Sequence, residues 1–192
     1  MAANSKLLNL YLTSLHRRPL RTKALTAGTL AGLQELAAQQ LSGTSKGNPV
    51  DKRVLQMTAY GLFISGPLGH YLFDLLNRVF AGRTGISAKI LQILAVNLIL
   101  SPIQNSVYLA AMAIISGART WAQVRTAVKK GLLPMMKISW VISPACIAFA
   151  QGFLPPQFWV PFFNLVGFIF GTYINTMTKK RRLDQQKQRK DE

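Results

Sequence analysis

Three stretches of the chain lack any Asp, Glu, Lys or Arg: 54–73, 90–118 and 138–178, of 20, 29 and 41 residues. Each meets or exceeds the ~20 residues that carry a helix across a hydrocarbon core. A fourth stretch, 24–41, is apolar or weakly polar apart from Glu35. The pattern predicts spans over about 24–41, 54–77, 90–115 and 158–178. Residues 42–53, rich in Gly, Ser, Asn and Pro, read as a loop. The segments 78–89 and 119–137 read as basic connectors. Residues 138–153 contain Pro144 and stop before Pro155-Pro156, which predicts a broken or partly inserted helix. At the start, Leu7, Leu8, Tyr11 and Leu15 fall at helical spacing, so 1–23 reads as a basic amphipathic segment on the membrane surface. An Arg-containing, acid-free start also fits a mitochondrial presequence. Residues 179–192 read as a solvated basic tail. The fold class is therefore all-α, an integral membrane bundle of four transmembrane helices plus one broken helix, in a single domain.

Composition supports this. Hydrophobic residues make up 49% of the chain and charged ones 15%, against a usual ~25% charged, too few to coat the outer faces of a soluble bundle. The charge is lopsided, 23 Lys and Arg against 6 Asp and Glu, a formal net +17. That excess suits nucleic acid or a membrane. Because it is confined to segments beside the spans, it points to the lipid bilayer and away from nucleic acid. With four spans the basic residues favour the side holding both termini and 78–89, placing both termini in the cytosol by the positive-inside tendency. Full crossing by 138–153 would move the tail to the other side.

Candidate chemistry inside the spans is sparse. Small residues recur every fourth position: Gly28 and Gly32; Gly61, Ser65 and Gly69; Gly167 and Gly171. In lipid, such spacing lets helix backbones approach closely, within a chain or between copies of it. Asn97, Ser101, Gln104, Asn105 and Tyr108 share one helical face, and Asn164 and Asn175 a second. Amides there avoid acyl chains, so they either bond between helices or line a watered path. Glu35, His70 and Asp74 are the ionisable groups within spans, His70 and Asp74 being spaced to pair and Glu35 standing in a polar cluster with Gln34 and Gln39. Arg17, Arg18, Arg21, Lys23, Lys179, Lys180, Arg181 and Arg182 suit headgroup contact or targeting. The lone Cys146 excludes an intramolecular disulfide framework. Metal-ligand spacing, a phosphate loop and a nucleophile elbow are missing from the sequence, so neither an enzyme nor a cofactor is expected.

Two segments are family-specific. Pro19-Leu20-Arg21-Thr22-Lys23-Ala24 leads into Thr26-Ala27-Gly28, and Gly66-Pro67-Leu68-Gly69-His70-Tyr71 is similar to a G-P-x-x-H-x-[WFY] signature. With Ser101-Pro102, Trp140, Pro144 and Pro155, the chain from Leu10 to Thr178 resembles the 22-kDa peroxisomal membrane protein family, which includes mitochondrial inner-membrane relatives. It departs where Gln34 and Glu35 replace a common Gly-Asp pair, and where Asn97-Leu98 replaces Asp-Gln. The resemblance implies a four-span protein of the peroxisomal membrane, delivered by the membrane-protein import receptor and passing small solutes. A membrane organiser and a mitochondrial member are the alternatives.

Overall fold

The computed structural model describes residues 2–44, 50–83, 85–154 and 159–191. Among them the chain is helical throughout: α1 Ala2–Arg17, α2 Pro19–Ser42, α3 over 52–79, α4 Ile86–Ile115, α5 Trp121–Phe153 and α6 Trp159–Asp191. Pro155-Pro156 lies outside the described residues. The boundaries have local causes. A residue before proline avoids the helical region, and Arg18, at φ −140° and ψ 68°, separates α1 from α2, which starts on Pro19. Gly43 closes α2 in the left-handed region (φ +68°), its N–H donating to the Gln39 and Gln40 carbonyls. Asp51 caps α3 by accepting from the Arg53 and Val54 N–H groups, both at 3.0 Å. Thr120 and Gln123 form a reciprocal capping box at the start of α5.

Each central helix widens for one turn immediately before a proline. The wide turns are Gly61–Ser65, ahead of Gly66-Pro67, and Val96–Leu100, ahead of Ser101-Pro102. Proline lacks the N–H that an i−4 carbonyl expects and its ring crowds that carbonyl; a wide turn relieves the crowding. In α4 the Ser101 N–H bonds back to the Val96 carbonyl, and Pro102 has no N–H to offer Asn97. Trp140 of α5 takes its place, donating from Nε1 to the Asn97 carbonyl at 3.1 Å.

Contacts fix the helix directions. Gly32 of α2 faces Thr58, Gly28 faces Leu62, and Ala24 faces Gly66, so α2 and α3 are antiparallel. Gln104 lies beside Gly69 and Tyr108 beside Tyr60, so α4 reverses α3. Leu109 meets Gly131, Asn105 meets Met136, and Asn97 meets Trp140, so α5 reverses α4. Gln34 bonds to Gly167 while Glu35 reaches Lys179, so α6 runs parallel to α2. From α2 to α6 the helices alternate, and α1 folds back along the first half of α2, where Thr22 Oγ1 donates to the Ser14 carbonyl at 3.0 Å.

This arrangement corrects three expectations. Residues 119–137 are not a connector, and 138–153 is not a broken helix: both belong to α5, which runs unbroken through Pro134 and Pro144. Helices in apolar surroundings tolerate single prolines where neighbours and local adjustments satisfy the freed carbonyls. Residues 179–191, expected as a solvated basic tail, continue α6, and Lys179 at their start is buried. With five alternating helices the tail leaves the bundle at the end opposite Pro19.

Large apolar side chains face outward, among them Phe63 and Tyr71 on α3, Leu98 and Ile99 on α4, and Leu165, Ile169 and Tyr173 on α6. Among the described residues one helix, Ile86–Ile115, is long and apolar enough to cross a membrane, with a mean hydropathy of 1.7.

Candidate functional site

The α2–α3 crossing sets the scaffold. A Cβ on Gly61 would stand 2.4 Å from the Ala27 carbonyl oxygen, and one on Gly66 2.5 Å from the Ala24 Cα, so side chains are excluded at both. Gly28 and Gly32 lie at the same crossing. Gly69 is looser, with Gln104 3.7 Å from where its Cβ would be, and Gly167 has open space; at Gly171 the Gln34 amide fills that place at 2.6 Å. Gly66, absent from the fourfold pattern, is as tight as Gly61.

Toward the 43–51 end, α2 carries Glu35, fully buried at 0% exposure. Its Oε1 stands 2.8 Å from Arg53 Nε of α3 and 2.7 Å from Lys179 Nζ of α6. Gln39 donates to the same oxygen at 3.4 Å and to Asp51 Oδ1 at 2.8 Å. Two carboxylates and two cations thus balance, and three helices share one fastening. Burial would raise the Asp51 carboxyl, but donation from Gln39 and the Val54 and Arg53 N–H groups, with the Lys179 charge, holds it below its ordinary value. Burial pushes the Lys179 ammonium down from its ordinary range, and Glu35 opposes that shift. The polar cluster expected around Glu35 is therefore an ion cluster. Its cations were missed because Arg53 and Lys179 each sit in a basic run that reads as a flank.

Below this fastening a cavity of about 350 Å³ lies between α2, α3, α4, α5 and α6. Its polar lining comes from Gln34, Tyr60, Ser65, Gln104, Asn105, Tyr108 and Asn164, and among the described residues no Asp, Glu, Lys, Arg or His reaches it. Gln34 Nε2 donates to the Gly167 carbonyl at 3.0 Å. A second chamber of about 340 Å³ adjoins it, with Ser65, Gln104 and Asn164 lining both, and extends to Tyr11, Lys23 and His70. Toward the ion cluster, Met57, Tyr60 and Met112 pack with Tyr108 into an apolar plug. Tyr108 hydrogen-bonds Asn175 of α6 across it.

The predicted polar face of α4 is divided. Gln104, Asn105 and Tyr108 line the cavity; Asn97 and Ser101 do not. Asn97 is buried, its Nδ2 donating to the Ile93 carbonyl at 2.9 Å and its own carbonyl serving Trp140. For Asn97 the cause is the wide turn at 96–100: its extra residue rotates what lies upstream by about 100°, so 97 and 104 no longer share a face; Ser101, downstream of it, keeps that face but lies off the cavity lining. Asn164 lines both chambers and donates to Tyr11 Oη at 3.4 Å. Asn175, 2% exposed, lies behind Tyr108 rather than on the cavity wall. His70 and Asp74 do not pair. Asp74 takes Arg78 at 2.8 Å on the half-exposed end of α3, and His70 Nδ1 is buried without a hydrogen-bond partner. Arg17, Arg18 and Arg21 are exposed at the α1–α2 corner with Lys23 half-buried beside them, and Lys180 is exposed. The side chains of Arg181 and Arg182 lie outside the described residues. Among the described residues no His, Cys, Asp and Glu group could hold a metal ion.

A helical bundle with apolar side chains outward, small residues at its crossings and its buried charges paired is built as a membrane protein. Comparison with known proteins specifies the class. A family model described as the Mpv17 / PMP22 family matches residues 113–175. The Woronin body membrane protein wscA of Aspergillus fumigatus is 58% identical over 95% of this chain and 81% of its own length. The Woronin sorting complex protein of Neurospora crassa is 57% identical over 92% of this chain, which spans 58% of that longer relative. The peroxisomal membrane protein PMP22 of Arabidopsis thaliana is 28% identical over 90% of both chains. The chain belongs to the Mpv17 / PMP22 family of membrane proteins, the family its motifs resemble. No solved structure matches it.

Proposed function

We propose that the chain is a multi-pass protein of a peroxisome-type organelle membrane, the Woronin body membrane, where it organises other proteins rather than catalysing a reaction. The observation that carries this reading is identity of 57–58% over more than nine-tenths of the chain to two proteins named for that membrane and for a sorting complex. The alternating helices fit it: with all of α2 to α6 crossing, the tail of α6 and the 43–51 and 116–120 connectors share one side. Those two connectors and the tail from Lys179 hold nine of the 23 Lys and Arg, with Lys52, Arg125, Lys129 and Lys130 in the adjoining helix turns, and the positive-inside tendency makes that side the cytosolic one, offering a basic surface for recruitment. On this reading the tail and the start of α2 lie on opposite sides, unlike in the four-span placement with both termini together. The test is to express a C-terminally tagged copy in Aspergillus fumigatus lacking wscA. Signal on Woronin body membranes, with the tag removed by protease added outside intact organelles, is expected; a mitochondrial signal would overturn the reading.

A second reading, passage of small solutes, rests on the paired chambers. Their walls offer amides and hydroxyls in a bundle whose outer face is apolar. Liposomes carrying the purified chain should release glycerol faster than empty ones; equal rates would exclude it.

A further inference from the structure

The two chambers differ in charge. Among the described residues the inner one is lined by neutral groups alone, whereas the outer one adds Lys23 and His70 and no carboxylate. The nearest acid along α3, Asp74, is held by Arg78 and does not line the chamber. Beyond the lining, Arg17, Arg18 and Arg21 are exposed on the same corner, again without an acid. His70 stands on the same wall, its Nδ1 enclosed by the protein and closed to the chamber.

We infer that the outer chamber is a site for a small organic anion of carboxylate size, held by the Lys23 ammonium with hydrogen bonding from the Gln104 amide. This inference deepens the solute-passage reading and rests on it for the flux arm of its test. The physics is that of basic groups lining an anion path: in a low-dielectric wall a single uncompensated cation raises the local concentration of anions and repels cations. A chamber of about 340 Å³ holds on the order of ten waters at ~30 Å³ each, so a few-carbon anion enters with part of its hydration. From there, the neutral amides of the inner chamber bind hydroxyl or carbonyl groups and add no charge preference.

The test uses the full chain in liposomes and three probes of similar size: methanesulfonate as a permanently ionised anion, glycerol as a neutral solute and choline as a cation. Methanesulfonate is expected to pass several-fold faster than choline. Lys23→Gln should lower the methanesulfonate-to-glycerol ratio several-fold, and Lys23→Glu should turn the preference toward choline. Arg83→Gln removes the same formal charge from the α3–α4 connector, where it stands over the Phe80 ring and does not line the chamber, and should leave the ratio as it is. A wild-type ratio in Lys23→Gln would overturn the inference. If none of the probes passes, the solute-passage reading fails by itself, and the site is judged by methanesulfonate binding to the detergent-solubilised chain. Binding lost in Lys23→Gln and kept in Arg83→Gln sustains it; no binding overturns it.

Discussion

The two halves of this bundle use polar residues in opposite ways. At the 43–51 end, Glu35, Arg53, Lys179 and Asp51 are charged, paired and packed, with Ala38 and Glu35 both at 0% exposure. In the half nearer Pro19, Gln104, Asn105 and Asn164 are neutral, loosely bonded and set around open space. Charge in apolar surroundings demands a partner within reach and so locks helices together. Neutral amides tolerate a wet wall and so leave room. Met57, Tyr60, Met112 and Tyr108 form the boundary between these regimes.

The comparison breaks most severely at Glu35. Glu35→Ala leaves Arg53 and Lys179 facing each other inside the bundle and should cost about 3–5 kcal/mol, the range for removing one partner of a buried pair, read as loss of thermal stability in detergent. Asp51 adds a pH signature. Its folded-state pKa lies below the ordinary 3.8, so its contribution is complete above that value and disappears as pH falls through the lowered one; Asp51→Asn should therefore destabilise near neutrality and much less in strong acid. Gly61→Val tests the scaffold both halves share. Its new side chain meets the Ala27 carbonyl, and overpacking of this kind costs about 1–3 kcal/mol, seen as a lower unfolding temperature. Tyr108→Phe removes the bond to Asn175 across the plug and should cost about 1 kcal/mol; on the solute-passage reading it also speeds glycerol release. Smallest is Asp74→Asn, whose pairing with Arg78 is exposed and worth at most about 1 kcal/mol, so the melting curve should barely move.

Much of the helical layout was legible because charge-free runs report directly on burial in lipid. The limits of α3 and α4 came within a few residues of 54–77 and 90–115, and the glycines at 28, 32 and 61 stand at one crossing. What misled was punctuation. Pro144 and the lysines of 119–137 suggested a connector and a broken piece, yet the capping box at Thr120 and Gln123 launches one continuous helix through both. Periodicity failed at Asn97 for a related reason: it assumes a uniform 3.6-residue turn, and Pro102 forces a wider one. Glu35 could be singled out from its position within an apolar run. Its partners could not, since Arg53 and Lys179 come from segments 18 and 144 positions away and are indistinguishable from flanking cations by composition. Gln34 could have been recognised as a cavity residue from its place one turn before Ala38 on the buried face of α2.

The claim that one half is sealed by ions while the other holds an accessible chamber is tested most directly by thiol labelling. In a chain with Cys146→Ala, single cysteines are introduced as Gln104→Cys on the wall common to both chambers and Ala38→Cys beside the ion cluster. The chain is then reconstituted in liposomes and exposed to a small water-soluble thiol reagent. Gln104→Cys is predicted to react many times faster than Ala38→Cys, and adding Glu35→Ala should narrow the gap by opening the sealed half. Equal rates in the otherwise intact chain, or faster reaction at position 38, would contradict the account.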